Sequence, residues 1–335
     1  VNTIQGTYGS LPTFSSLLGT AAPSTVPGGE GCFEVVAASA DIPSSAFQRG
    51  DWVIPSGTGP LLGSWRTHAL VSSPETALFR VPDRTGLTPV QAATATVNPC
   101  SAYRMLRDFV DLVDVSVRSH AAGAGWAGGA WFVQNGANSG VGRAAIQLAA
   151  LWGLRSINVV RDRDTPEATA ALKDELRALG ATVVVTETEL LDKGFAKRVK
   201  DEWTNGGREP LLLALNCVGG RSAGALAKCL DDGGTMVTYG AMSKKPVTVS
   251  TGGMIFKDLR FMGFWLSRWG KANREGKRKT VEEILSLIRD GKLKDVPLQE
   301  IKWDWTTDES TLTGAVQGTL DGFRSGKGVF VFGDT

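Results

Sequence analysis

Histidine and cysteine are scarce in this chain of 335 residues, with two of the first and four of the second. Neither His68 nor His120 has a cysteine at ligand spacing and no C-x-x-C pair occurs, so the side chains for a zinc centre are lacking. Cys32, Cys100, Cys217 and Cys229 lie far apart, which in a chain of this size argues against a disulfide framework and for a reducing compartment. Long apolar runs are missing too. Residues 1–29 lack charge but are broken by Pro12, Pro23 and Pro27, and residues 119–142 are broken by glycines and by Gln134, Asn135, Asn138 and Ser139, so neither reads as a membrane helix. A net charge of +2 requires neither nucleic acid nor a membrane surface as partner. Tyrosine is rare as well: of three, two fall at helix and strand positions and one, Tyr8, stands in a glycine-rich loop.

What is present is an apolar content of 42% with 21% charged residues, typical of a globular protein long enough for two domains. Residues 1–97 are rich in Gly, Pro and Ser and carry short β-like runs at 33–37, 52–54 and 76–81, the texture of a β-rich domain with long loops. From Asn98 onward strand and helix alternate. Trp131–Asn135 reads as a strand, Gly136–Gly142 as a glycine turn opening a helix that Gly153 stops, and Ser156–Val160 as a second strand. Thr165 caps the next helix with Pro166 at its first position and Gly180 past its end. Strands follow at 182–186, 211–215 and 235–239, and Thr280-Val281-Glu282-Glu283 has the form of a capping box opening a helix that ends near Gly291. Such alternation predicts a Rossmann-type doubly wound parallel sheet, α/β in class, over residues 98–296. The β-rich substrate domain is expected over 1–97 and 297–335.

Ligands in such sheets bind beyond the carboxyl ends of the strands, and a glycine turn at a helix N-terminus lets backbone N–H groups approach a pyrophosphate. A glycine cluster alone is weak, since many surface turns have one; strand before, helix after, second strand and basic tip together make the dinucleotide reading strong. An acidic residue about 20 positions on would accept from a free ribose hydroxyl, whereas arginine holds a 2′-phosphate. Arg161-Asp162-Arg163 stands there, which points to NADPH. Asp162 has two readings, an acceptor for the ribose or a cap for the next turn. Phe264 and Trp265 line a pocket or fill the core. The basic stretch of Lys271, Arg274, Lys277, Arg278 and Lys279 is by default a solvated face, with an anchor for the phosphates of coenzyme A or for an acidic carrier protein as the sharper alternative.

Several segments, in order, resemble one family. Asn98-Pro99-Cys100-Ser101-Ala102-Tyr103-Arg104-Met105-Leu106 is similar to its helix at the domain junction. Gln134-Asn135-Gly136-Ala137-Asn138-Ser139-Gly140-Val141-Gly142 resembles its glycine turn, and Asn158-Val159-Val160-Arg161-Asp162-Arg163 its second strand. Leu213–Gly220 and Gly263–Ser267 match as well, as does the opening segment Val1–Gly9. The chain is thereby identified as a member of the mitochondrial trans-2-enoyl-thioester reductases, a zinc-free branch of the medium-chain dehydrogenase/reductase superfamily. The resemblance implies a GroES-like substrate domain, a mitochondrial location, a homodimer, and NADPH-dependent reduction of the C2=C3 bond of enoyl-CoA or enoyl-acyl-carrier-protein. It implies Tyr8 as the catalytic tyrosine. It implies cofactor contacts at Asn98, Asn138, Ser139, Gly140, Val141, Arg161, Asp162, Arg163, Tyr239, Gly240, Ala241, Met242, Phe264, Trp265, Leu266 and Lys327.

The chain departs from the family pattern in places. The loop 19–26 is longer than in animal members, residues 121–130 form an insert, and Ala241 stands where glycine is usual. The strands that precede the tyrosine motif in the family are not in the sequence, so the β-rich domain is expected to be N-terminally incomplete, with a sheet edge left unpaired. Two rivals stand beside the reductase reading: an NADPH-dependent quinone reductase of the same superfamily, and a catalytically dead NADPH-binding protein. The chemistry itself suits a tyrosine. Hydride delivered to C3 drives electrons onto the thioester oxygen, and a phenol, protonated at neutral pH, can supply the proton that C2 then needs.

Overall fold

The computed structural model describes residues 4–6, 8–9, 12, 14–16, 20–57, 63–112, 129–320 and 326–333. The insert at 121–130 thus lies almost wholly outside the described residues. The chain divides into two compact units, residues 1–97 with 267–335, and residues 98–266.

In the first unit β1 (Phe33–Glu34), β2 (Trp52–Pro55) and β3 (Leu78–Arg80) form an antiparallel sheet in that order. Phe47, Val53 and Leu78 make its small buried core. A short helix, Pro89–Thr94, starts at a full capping box: Thr88 accepts from Gln91 N–H, and the Gln91 side chain accepts from Thr88 N–H.

The second unit carries the doubly wound sheet. Its strands are β4 (Trp131–Gln134), β5 (Arg155–Val160), β6 (Val183–Thr186), β7 (Leu211–Asn216) and β8 (Thr235–Thr238); the short β9 (Lys245–Val247) lies beside it, and β10 (Arg260–Gly263) completes it. Among the described residues the sheet has six strands in the spatial order β6-β5-β4-β7-β8-β10, every pair parallel. Order therefore reverses between β4 and β7, where a doubly wound sheet opens its ligand crevice. The central strands are apolar because helices cover both faces: Phe132, Val133, Leu213, Ala214 and Leu215 are fully buried. Helix Gly140–Leu151 follows β4, and helix Pro166–Ala178 follows β5, with Thr165 accepting from Ala168 N–H as its cap.

The first unit also holds β11 (Leu298–Trp303) and β12 (Lys327–Phe332), a parallel pair; Phe330 of β12 meets Trp303 of β11 and Trp65 edge-on. β1 and β12 line a cavity of about 1110 Å³ within this unit. Two sequence expectations differ from what is observed. The helix expected to open at Thr280 starts at Arg274, where Asn273 accepts from Gly276 N–H; Thr280 sits mid-helix and donates to Gly276 O instead. The second crossing between units falls at Leu266/Ser267 rather than near Pro297. Helix Arg274–Arg289 goes with the first unit because its cations bind backbone there: Arg274 donates to the Glu75 and Leu78 carbonyls, Lys277 to Thr96 O, and Arg289 to Asp83 O.

Candidate nucleotide-binding site

The glycine turn after β4 is shaped by close approach. A Cβ on Gly140 would collide with the Asn98 carboxamide, and one on Gly142 would stand 2.5 Å from the Ala137 carbonyl oxygen. Gly136 has φ +60, and a side chain there would run into the Cys217 thiol. Ser139 caps the helix, its hydroxyl accepting from Gly142 N–H at 3.2 Å. The amides of Gly140 and Val141 take no partner among the described residues. Unpartnered N–H groups at the positive end of a 12-residue helix form an anion cradle.

Side chains beneath the turn hold it. Arg143 donates to Asn138 O at 3.0 Å and to the Glu175 carboxylate at 2.7 Å. Its hydrogen bond to Glu175 keeps that carboxyl below its usual range. Gln134, fully buried, donates to Gly142 O at 3.0 Å and to Asn158 Oδ1 at 2.8 Å.

At the tip of β5, Arg161 is exposed and Arg163 partly so, its guanidinium reaching Arg161 O at 3.3 Å. Asp162 accepts from Thr188 N–H at 3.2 Å and from the Thr188 hydroxyl at 2.9 Å. Partial burial works against its charge, and donors from Thr186 and Thr188 overcome this and hold its carboxyl below the usual range. Asp162 therefore fastens the basic tip to the turn after β6.

At the tip of β8, Tyr239, Gly240, Ala241 and Met242 form the loop that the resemblance singled out. The Tyr239 hydroxyl is enclosed beside Ser139 and Cys217 yet meets hydrogen-bond geometry with neither. Burial, with the Cys217 thiol beside it, pushes the phenol well above its ordinary value. Cys217 itself is pushed up by burial, consistent with an inert thiol. Phe264 is buried against Phe109 with ring centroids 5.9 Å apart, Leu266 is buried, and Trp265 is half-buried. The cradle that a Cβ would fill, the orphaned hydroxyl and the arginine tip all fit a dinucleotide with an extra phosphate.

Asn98 and residues 138–141, 161–163, 239–242 and 264–266 lie in the second unit. Tyr8 and Lys327 belong to the first. Tyr8 lies in a bend, partly buried, and Lys327, on β12, pairs with Glu30 at 2.5 Å. Asn135 and Asn216 fall at the carboxyl ends of β4 and β7, where the sequence already placed ligand-facing tips, whereas Arg143, inside the helix that follows β4, carried no such signal. Of the basic stretch, Arg274 and Lys277 donate to backbone carbonyls; Arg274 stays exposed, whereas Lys277 is buried and so does not belong to a solvated face. No group of three His, Cys, Asp or Glu side chains able to hold a metal occurs among the described residues.

A family model described as zinc-binding dehydrogenase matches residues 140–289. The mitochondrial enoyl-acyl-carrier-protein reductase of Yarrowia lipolytica is 41% identical over 98% of this chain and 78% of its own. The Homo sapiens protein of that name is 43% identical over 90% of this chain and 71% of its own. Among solved structures, the Etr1p complex with NADP and crotonyl-CoA matches at a TM-score of 0.85 and 36% identity, covering 98% of this chain and 86% of the other. The Etr1p/Etr2p heterodimer of the mitochondrial 2-enoyl thioester reductase from Candida tropicalis matches at 0.84 and 37%, covering 96% and 85%. A quinone oxidoreductase of Pseudomonas syringae, at 22% identity and a TM-score of 0.68 over 92% of this chain and 82% of its own, shares the fold. With the glycine cradle, the basic tip and likeness of this extent all in place, the chain belongs to the mitochondrial enoyl-thioester reductases of the medium-chain dehydrogenase/reductase superfamily.

Proposed function

We propose that this protein reduces the C2=C3 double bond of trans-2-enoyl thioesters with NADPH in mitochondrial fatty-acid synthesis. The observation that carries the reading is the 41% identity to a mitochondrial enoyl-acyl-carrier-protein reductase over 98% of the chain. The glycine cradle and the arginine tip support the cofactor half of it. Likeness to quinone reductases stops at the fold, since identity there is 22%.

NADPH, when bound, supplies the hydride. Asn138, Ser139, Gly140 and Val141 take its pyrophosphate at the helix N-terminus, and Arg161 and Arg163 take the 2′-phosphate, with Asp162 bracing the tip between them. Asn98, the Tyr239–Met242 loop, Phe264, Trp265, Leu266 and Lys327 complete the contacts. Hydride arriving at C3 leaves an enolate on the thioester oxygen. The Tyr8 hydroxyl gives its proton to C2, which restores the thioester carbonyl, and Tyr8 regains a proton from solvent. The acyl carrier is coenzyme A or acyl carrier protein; both present the same thioester to these residues.

The working form is a homodimer joined along β10. Among the described residues that strand ends the sheet, and the preceding helix Thr251–Lys257 exposes Met254, Ile255 and Phe256, with Phe256 82% accessible. Apolar side chains clustered beside an open sheet edge suit a second copy rather than water.

Three outcomes follow. Replacing Arg161 and Arg163 together by Ala should weaken NADPH far more than NADH in fluorescence titration, because only NADPH carries the 2′-phosphate; equal weakening of both would assign the arginines to the fold or the pyrophosphate. Tyr8→Phe should leave NADPH affinity nearly unchanged and lower turnover of a trans-2-enoyl-CoA by roughly 10²–10⁴. Turnover equal to wild type in that assay would refute the assignment, and reduction of a benzoquinone without reduction of an enoyl-CoA would favour the quinone reductase. Finally, Ile255→Glu with Phe256→Glu should yield a monomer by sedimentation that still binds NADPH; an unchanged mass would move the interface elsewhere.

A further inference from the structure

Two carboxamides lie at the point where the strand order reverses. Asn135 follows β4 and Asn216 ends β7, and they are 1% and 0% exposed. Asn135 Nδ2 donates to Asn216 Oδ1 at 2.9 Å and to Ser222 Oγ at 3.1 Å, while Asn135 Oδ1 accepts from Cys217 N at 2.8 Å. Asn216 Oδ1 also accepts from Val218 N at 3.2 Å and Gly219 N at 3.1 Å, and Asn216 Nδ2 donates to Thr238 Oγ1 at 3.1 Å. Both amides are thus engaged through oxygen and nitrogen alike.

The loop after β8 hangs on the same turn. Tyr239 N–H donates to Asn216 O at 3.0 Å, Met242 N–H to Cys217 O at 2.8 Å, and Ser243 N–H to Val218 O at 3.0 Å. The Ser243 hydroxyl donates to Val218 O at 2.6 Å. The loop takes its position from residues 216–218, and those take theirs from Asn135. Gly136, the next residue, opens the glycine turn. A leucine at either position would fill a core as well; only a polar side chain also holds the backbone N–H groups of residues 217–219 and ties them to β4 and β8.

We infer that Asn135 and Asn216 are positioning residues that set the spacing between the pyrophosphate cradle after β4 and the loop after β8. This rests on the cofactor reading above. The 2′-phosphate end belongs to the tip of β5, on one side of β4. A dinucleotide laid across the crevice therefore extends its other half over β7 and β8. The clasp acts on that nicotinamide half and leaves the adenosine half alone.

The test separates the halves by binding NADPH and 2′,5′-ADP, each titrated calorimetrically to wild type, Asn135→Asp and Thr238→Val. Aspartate keeps the acceptor for Cys217 N but turns an oxygen toward Asn216 Oδ1. Asn135→Asp should weaken NADPH about tenfold or more and change 2′,5′-ADP by no more than about twofold, with kcat falling beyond any rise in KM, as misplaced reacting groups require. Thr238→Val, which removes only one acceptor of Asn216, should give the same pattern to a smaller degree, and it decides the matter if the aspartate variant fails to fold. Equal weakening of both ligands, a lowered melting temperature with the ratio of the two affinities unchanged, or no change in either affinity would overturn the inference. Wild-type protein that binds neither ligand would overturn the cofactor reading, and the inference with it.

Discussion

The hydrogen bond from the Asn135 carboxamide to Asn216 spans the gap between β4 and β7, where the sheet changes direction. Parallel strands end together, so their loops emerge side by side at the carboxyl edge, with polar backbone that helices on both faces partly cut off from water. Each donor or acceptor left unmade there would cost about 1–3 kcal/mol. Asn135 and Asn216 answer that demand, because each carboxamide serves as donor and acceptor at once, while Gln134 adds two donations. Gln134 and Asn135 are neighbours in sequence and point to opposite faces. Gln134 reaches Gly142 O and Asn158, and Asn135 reaches Asn216, Ser222 and Cys217 N. The glycine turn is thus held from both faces of the sheet.

Close approach completes the cradle. Asn98 abuts Gly140, the Cys217 thiol abuts Gly136, and Arg143 grips Asn138 O while paired with Glu175. Depression of the Glu175 pKa sets how pH acts on this brace. The charged pair is complete above the ordinary carboxylate value and is lost only as pH falls through the lowered folded value. Across the neutral range the brace is constant, and the charge of a bound phosphate meets the same N–H groups throughout.

Much of this was legible in the sequence because a buried parallel sheet writes itself as apolar runs. Leu211–Leu215 and Trp131–Val133 have no other use, and Thr165-Pro166 announces its helix by a cap and a proline. The glycine turn was legible for a related reason: glycines are spent where backbones must touch. Other features carried no such mark. Thr280-Val281-Glu282-Glu283 matches a capping box, but the same pattern arises inside a helix, where Thr280 and Val281 are buried, and the real cap is Asn273 seven residues earlier. Lys277 sits in a run of cations and is nonetheless buried, because the partner of its ammonium, Thr96 O, is 181 residues away in the chain. β11 and β12 were passed over since their faces are only half-buried and lack clean alternation. The amide clasp could not be read either, as an asparagine beside a strand end does not declare which distant atom it will bind.

The central claim is hydride transfer from NADPH to the β-carbon of an enoyl thioester, and isotopic labelling tests it most directly. Crotonyl-CoA is turned over with NADPH deuterated at the nicotinamide C4, and the saturated product is examined by mass spectrometry and NMR. The account expects one deuterium at C3 and a solvent-derived proton at C2. Deuterium at C2, or cofactor binding with no saturated thioester formed at any concentration, would contradict it.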